Sequence, residues 1–182
     1  MAEAGTDTQE FKHRARLAAS SIPESRLSDL PAWFHDPPPK PASLDASFNG
    51  LGHWLAHCQL ILFEILYAAG PVSVPILQQV AHGPYDWTQI TSIRTLCRMA
   101  SEGVDPAGIV DDLAGLLPAL REEALFPAAE FVCSAGIDRP LLLSSISGLI
   151  RESLDHGYDE DAADLISSLA LLYPEEADRF RR

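Results

Sequence analysis

The sequence predicts an all-α fold, a solenoid of about four stacked antiparallel helical hairpins preceded by a short N-terminal helical segment. Three glycines, Gly70, Gly103 and Gly136, are spaced 33 residues apart (103 − 70 = 33 and 136 − 103 = 33). Apolar residues recur at fixed distances from each glycine, as expected for stacked units that bury their apolar faces against their neighbours. No segment between turn signals alternates apolar and polar residues as a strand does.

Six columns of this repeat are apolar and form the predicted core. Before the glycine, the columns are Leu60/Ile93/Phe126, Phe63/Leu96/Ala129 and Tyr67/Ala100/Cys133. After the glycine, they are Ile76/Ile109/Leu142, Leu77/Val110/Leu143 and Val80/Leu113/Ile146. Their spacing places them on one face of each helix, so we expect these side chains to be buried.

Residues 1–47 are predicted to form a helical segment and a linker that precede a repeat domain over residues 48–182. A short helix is expected over Glu10–Ser20 and a further turn or two over Glu24–Leu30. Four residues of the first helix share an apolar face: Phe11, Ala15, Leu17 and Ala18. The proline-rich stretch Pro31–Ser43 favours extended polyproline geometry and predicts a linker.

The first predicted hairpin is a long helix over Phe48–Ala69 and a shorter one over Ser73–His82. Gly70 ends the long helix, because glycine readily takes the left-handed conformation of a C-terminal cap. In the second hairpin, Asp86 and Gln89 have the spacing of a capping box at the start of a helix.

Later hairpins follow the same pattern. Gly103 ends a helix and Asp105 caps the next, with proline at its first position. A helix over Leu120–Ala135 is predicted to stop at Gly136, and Asp138 is predicted to cap the helix after it. The last unit opens at Asp159, breaks at Tyr173-Pro174 and closes with a polar helix over Glu175–Arg182, an irregularity expected of a terminal repeat.

The charge of the chain is negative and concentrated in its second half. The formal net charge is −13, and residues 102–182 contribute −11 of it, from 17 acidic and 6 basic residues. Such a field repels nucleic acid and anionic lipid headgroups, so neither is an expected partner. It attracts a cationic protein, although acidic residues also serve solubility alone.

The sequence predicts a cytoplasmic protein. Cys58, Cys97 and Cys133 are odd in number and lie in apolar helical stretches, which indicates small buried hydrophobes in a reducing compartment. The first ten residues do not form a secretory signal. The longest apolar run, Leu60–Gly70, contains Glu64 and is shorter than the roughly 20 residues of a membrane span.

The chain resembles the HEAT and armadillo class of helical-hairpin repeats over about residues 48–182, the part that carries the glycine register. The Trp, Gly and Ala pattern of TPR repeats, which have a similar length, is missing. The stretch Gly83-Pro-Tyr-Asp-Trp-Thr-Gln, followed by Leu96-Cys-Arg-Met-Ala, is similar to bacterial HEAT-like proteins. Some of these are immunity proteins paired with secreted toxins, so the resemblance implies an inhibitory protein–protein interaction.

Catalytic patterns are weak in this chain. His53 and His57 have the i, i+4 spacing that lets two imidazoles of one helix bind one metal ion. However, position 54 is Trp where a zincin-type helix has its glutamate, and no third ligand is indicated. No nucleophile elbow, phosphate-binding loop or dinucleotide fingerprint occurs. We therefore predict no catalytic residue, no metal and no cofactor.

The candidate partner-binding residues are aromatic or acidic. Tyr85, Asp86 and Trp87 lie in a turn between repeats, where aromatic side chains can anchor an interface. Acidic doublets and a cluster supply the rest: Asp111, Asp112, Glu122, Glu123, Asp155, Asp159, Glu160 and Asp161. For both groups a structural role, as a helix cap, a packed aromatic or a solvated helix face, is the competing explanation.

The sequence thus predicts a non-enzymatic protein-binding module, specifically a bacterial immunity or inhibitor protein that acts on a basic toxin or enzyme. An adaptor or assembly subunit is the alternative within the same class. The alternative from another class is a helical metal-dependent hydrolase that uses His53, His57 and a remote carboxylate.

Overall fold

The computed structural model describes the backbone of residues 3–42, 51–136 and 140–181 and, apart from residues 3–8, 51, 122 and 140, their side chains. It is all-helical, with 81% helix, and it contains no strand in these ranges. The prediction of an all-α fold is therefore confirmed. The chain divides into two compact units, Met1–Val80 and Ala81–Arg182. The predicted domain boundary at residue 47 lies outside the described residues.

The first unit contains a long helix and the elements packed on it. Its helices are α1 (Glu3–Ser21), α2 (Glu24–Leu27), α3 (Leu51–Ala69) and α4 (Val74–Ala81, which ends at the unit boundary), with 3-10 helices at Leu30–Phe34 and Gly70–Ser73. Both α1 and the 3-10 helix at Leu30–Phe34 pack against α3. The N-terminal segment is therefore part of the first unit's core. The predicted start of the long helix at Phe48 lies outside the described residues.

The prediction of a linker from Pro31 was wrong in its first part. Residues Leu30–Phe34 form a 3-10 helix with proline in its first turn, where a missing N–H costs nothing. Phe34 is only 1% exposed, and its ring stacks on that of Phe63 with 4.5 Å between the centroids. Gln59 donates a hydrogen bond of 2.7 Å from Nε2 to the carbonyl oxygen of Phe34. Burial of an aromatic ring thus overrides the extended tendency of the neighbouring prolines.

Residues 35–42 of the proline-rich stretch form no helix or strand, and a hydrogen bond ties them to α3. The indole Nε1 of Trp54 donates a 2.7 Å hydrogen bond to the carbonyl oxygen of Pro38. In α1 the predicted apolar face is correct for Ala15, which is 5% exposed, and wrong for Leu17, which is 58% exposed. α1 also begins seven residues earlier than predicted, at Glu3.

Helix α3 ends at Ala69, and Gly70 has the positive φ, 73°, that its predicted capping role requires. The backbone remains helical through Pro71, because this proline lies in the first turn of the 3-10 helix Gly70–Ser73, where its missing N–H is not needed. The Ser73 hydroxyl donates to the carbonyl oxygens of Leu66 and Gly70, at 2.6 and 2.8 Å. These bonds satisfy acceptors that the end of a helix leaves free.

Within the described residues, one helical stretch is long and apolar enough by length and composition to cross a membrane. It spans Gly52–Ala81, with a mean hydropathy of 1.9, and 39% of its most apolar window is buried inside the protein. The sequence predicted no stretch of membrane-spanning length, because its longest apolar run, Leu60–Gly70, is too short. Core helices of soluble proteins pass the same test, so the cytoplasmic location stays a prediction.

The second unit is built from helices that contact their second as well as their next neighbours. Its helices are α5 (Trp87–Ser101), α6 (Pro106–Leu116), α7 (Glu122–Ser134), α8 (Pro140–Asp155), α9 (Asp159–Leu172) and α10 (Pro174–Phe180), with a 3-10 helix at Leu117–Ala119. α5 packs on α6 and α7, and α7 also packs on α9. α8 packs on α6 and α9, and α9 packs on α10. The helix predicted over Leu120–Ala135 is two residues shorter at its start, and Asp138 lies outside the described residues.

The other register glycines also end helices. Gly103 has φ 90° and Gly136 has φ 67°. After α5, Val104 N–H donates to the carbonyl oxygen of Met99 and Gly103 N–H donates to that of Ala100, each at 3.0 Å, in the pattern of a Schellman cap. Gly157, which the register did not include, ends α8 with φ 75°.

Replacing Gly103 by alanine is expected to lower the free energy of unfolding by about 1–2 kcal/mol, because a Cβ is strained at this φ. Nothing lies within 4 Å of the new Cβ, so the effect is one of backbone alone. Gly148 in the interior of α8 is the matched control, since its Cβ would also meet nothing within 4 Å. Gly148→Ala should raise stability by about 0.5–1 kcal/mol. Urea unfolding curves that shift in the same direction for both variants would contradict this account.

Most of the predicted apolar columns are buried, among them Ile93, Leu96 and Leu113, each 0% exposed. Leu60 departs from its column with 48% exposure. A column four residues before each glycine, which the sequence analysis did not include, is the most uniformly buried. It consists of Leu66, Met99 and Val132, none more than 1% exposed.

Candidate protein-binding surface

Both predicted aromatic residues are exposed, Tyr85 in the turn before α5 and Trp87 as the first residue of that helix. Tyr85 is 43% exposed and Trp87 is 48% exposed. Because large aromatic side chains are usually well buried, a half-exposed pair around the start of a helix fits an interaction surface better than a core role. These two residues therefore stay candidates for partner binding.

Asp86, between them, has the structural role that was its competing explanation. Its Oδ1 accepts hydrogen bonds from the backbone N–H groups of Thr88, at 2.7 Å, and Gln89, at 3.1 Å. The Thr88 hydroxyl donates to the same oxygen at 2.6 Å. Asp86 is thus an N-cap that satisfies free donors at the start of α5.

The predicted capping box is only half formed. Gln89 Nε2 donates to the carbonyl oxygens of Ala81, at 3.0 Å, and Gly83, at 2.9 Å. Its Oε1 is buried and accepts no hydrogen bond from the described residues, so the reciprocal bond to the N-cap is missing. The backbone of the preceding turn offers acceptors within reach, and the buried amide of Gln89 binds those instead.

The doublet in α6 divides between two environments. Asp111 is exposed, as expected of a solvated helix face. Asp112 does not fit the competing explanation of a solvated face, because its Oδ1 lies 2.9 Å from Nε2 of His82. Its Oδ2 is enclosed and has no hydrogen-bond partner among the described residues. On a helix, consecutive residues point about 100° apart, which explains why adjacent carboxylates differ.

The acidic residues of α7, α8 and α9 are mostly exposed. Glu123, Asp155, Asp159 and Glu160 are exposed and Asp161 is half-buried, while the side chain of Glu122 lies outside the described residues. The three acids that open α9 all lie in its first turn. The helix macrodipole stabilises carboxylates there, which accounts for their position, while their charge still adds to the negative field of the second unit.

The predicted histidine pair on α3 gains no third metal ligand among the described residues. His53 is exposed and His57 half-buried on α3, and no group of three or more His, Cys, Asp or Glu side chains in the described part of the chain could hold a metal ion. Burial raises the pKa of Cys97 to about 12 and that of Cys133 to about 11. Thiols this hard to ionise are poor nucleophiles, consistent with packing roles.

A groove between α7 and α9, called here the α7–α9 groove, brings together two acids that the sequence analysis missed. It has a volume of about 380 Å³ and is lined by Phe126, Glu130, Asp164, Ser167, Ser168 and Leu171. Glu130 and Asp164 are single acids instead of doublets, so a search for doublets passes over them. Their separation of 34 residues (164 − 130 = 34) is close to the repeat length and is the sequence signal that could have found them.

A second cavity, of about 370 Å³, lies where α9 turns into α10. It is lined by Leu143, Tyr173, Pro174, Glu175 and Glu176. Glu176 is engaged by Arg179, whose Nη1 lies 2.6 Å from Oε1. This cavity therefore offers a partner less free negative charge than the α7–α9 groove does.

Comparison of the chain with protein families, with curated proteins and with solved structures finds no match.

Proposed function

We propose that this chain is a non-enzymatic protein-binding module that inhibits a cationic protein, in the manner of a bacterial immunity protein. The observation that carries the proposal is the surplus of uncompensated acidic side chains in the second unit. These acids form no ion pair with any described residue: Glu123, Glu130, Asp155, Asp159, Glu160, Asp161 and Asp164. Their summed field would steer a basic partner toward this unit.

The proposed architecture of the second unit is a HEAT-like stack of helical hairpins. Helices α5, α7 and α9 contact one another in turn, and α6 contacts α8. This pattern, in which each helix meets the equivalent helix of the next hairpin, is expected when hairpins stack side by side. A stack of this kind offers a row of parallel helices as a binding surface and needs no deep pocket.

The partner's charge can be tested through association kinetics. We expect a protein encoded next to this chain's gene to be basic and to form a complex with it. Raising NaCl from about 0.05 M to about 0.5 M should slow association by about tenfold or more, because salt screens the field that steers the encounter. Stopped-flow mixing of the two purified proteins measures this rate. A rate that does not change with salt would contradict electrostatic steering.

The biological role is tested separately by activity. An inhibitor should abolish the partner's enzymatic or toxic activity at one equivalent, whereas an adaptor would bind and leave that activity intact. The hydrolase alternative predicts a bound metal ion at one equivalent that is lost in His53→Ala. Metal analysis of the purified wild type and variant decides this point, and such an ion would overturn the non-enzymatic proposal.

A further inference from the structure

The α7–α9 groove has two carboxylates that local structure does not explain. Glu130 and Asp164 are both exposed and neither forms an ion pair with a described residue. Glu130 is the ninth of 13 residues in α7, beyond the first turn that favours acids. Asp164 is the sixth residue of α9, beyond the first turn that favours acids. Two like charges lining one groove repel each other, and a cation placed there would be attracted by both.

The groove also has an unpartnered hydroxyl. Ser168 is only 8% exposed and lines the groove, yet it makes no hydrogen bond with any residue that the structure describes. Its neighbour Ser167 differs, since that hydroxyl donates to the carbonyl oxygen of Ala163 at 2.8 Å. The Ser168 hydroxyl is therefore available to a polar group that enters the groove.

Apolar side chains complete the lining. Leu171 is 56% exposed, which is unusual for a leucine in a helix that otherwise buries its apolar stripe, and Phe126 is half-buried. The long aliphatic part of a basic side chain packs well on such surfaces while its charged end reaches polar groups. A small metal ion would not be bound by these two side chains, because neither has a ligand atom.

We propose that the α7–α9 groove binds one arginine side chain of a basic protein partner, an inference that rests on the proposed function. The aliphatic part lies against Phe126 and Leu171, and the guanidinium lies between Glu130 and Asp164. Arginine fits better than lysine, because its planar head carries five donors that can serve two carboxylates and the Ser168 hydroxyl together. Lysine offers a compact charge with three donors.

The test uses the full chain and a fluorescently labelled amphipathic peptide. The peptide has pairs of arginines alternating with pairs of leucines, so that a helix places arginine on one face and leucine on the other. Two control peptides carry lysine or citrulline in place of every arginine. Fluorescence anisotropy at low salt measures Kd. We expect the arginine peptide to bind about tenfold more tightly than the lysine peptide, and the neutral citrulline peptide to bind at least about a hundredfold more weakly. Equal binding of the arginine and lysine peptides would overturn the assignment of arginine.

Matched charge variants locate the peptide. Glu130→Gln with Asp164→Asn should weaken arginine-peptide binding by about tenfold or more. Glu152→Gln with Glu175→Gln removes the same charge from two exposed positions of α8 and α10 outside the groove, and should weaken it by less than about threefold. Leu171→Ala, which leaves all charges in place, should also weaken binding. Equal losses for the two charge pairs would overturn the groove and leave the general acidic field standing.

The basic partner separates failure of the groove from failure of the proposed function. If that partner binds wild type and the Glu130→Gln, Asp164→Asn variant with the same Kd, the groove proposal is wrong and the proposed function stands. If no basic neighbour-encoded protein binds the wild type at low salt, the proposed function itself fails. Unchanged circular dichroism and thermal unfolding of each variant establish that the fold is intact.

Discussion

Phe34→Ala is expected to lower the free energy of unfolding of the first unit by about 3–5 kcal/mol. The ring is 1% exposed and stacks on Phe63 of α3, so its removal leaves a cavity as well as losing apolar burial. The loss amounts to a large share of the about 5–15 kcal/mol by which domains are usually stable. Urea unfolding followed by far-UV circular dichroism measures the change.

Trp33 is the matched control for Phe34, because it is the adjacent residue, also aromatic, and 48% exposed. Trp33→Ala should cost about 1 kcal/mol or less, since it leaves no enclosed cavity. Equal losses of stability in the two variants would mean that burial of Phe34 against α3 does not stabilise the 3-10 helix Leu30–Phe34. If neither loses any, the segment does not contribute to the core.

Leu142→Ala is expected to destabilise the second unit by about 2–5 kcal/mol. Leu142 is 0% exposed in α8, and it belongs to one of the apolar columns that the glycine register defines. Most of a helix's stability in a folded protein comes from packing its apolar face, so the contribution of α8 depends on burying this face against neighbouring helices.

Leu141 provides a control that differs from Leu142 only in orientation. It is the same residue type, one position earlier in the same helix, and 74% exposed. Leu141→Ala should change stability by no more than about 0.5 kcal/mol. Urea midpoints that fall equally for both variants would show that the register assigns the buried face of α8 wrongly.

The helix boundaries could be predicted well wherever a glycine with positive φ ends a helix or an aspartate side chain caps its start. Gly70, Gly103 and Gly136 all have a positive φ, and Asp86 and Asp105 both accept hydrogen bonds at the start of a helix. These roles depend on neighbours within a few residues, which the sequence contains. Gly157 has the same role but falls outside the 33-residue spacing, so the periodicity passed over it.

The candidate site could be predicted only in part. The exposure of Tyr85 and Trp87 agrees with their proposed role, whereas Asp86 and Asp112 are held by contacts within the chain. The groove depends on α7 and α9 lying side by side, although their lining residues are more than 30 positions apart. A search for adjacent acids cannot find such a pair, because proximity in a helical fold comes from packing instead of from sequence neighbours.

The sequence by itself determined the helical class of this protein, the glycines that end its helices, the buried face of most helices and the acidic balance of its second half. These depend on residue type and on spacing along one helix. The tertiary structure decided that Phe34 is buried, that Asp112 meets His82, and that Glu130 and Asp164 share a groove. Each of these results from contact between segments distant in the chain, whose free energy depends on which faces meet and not on local preference.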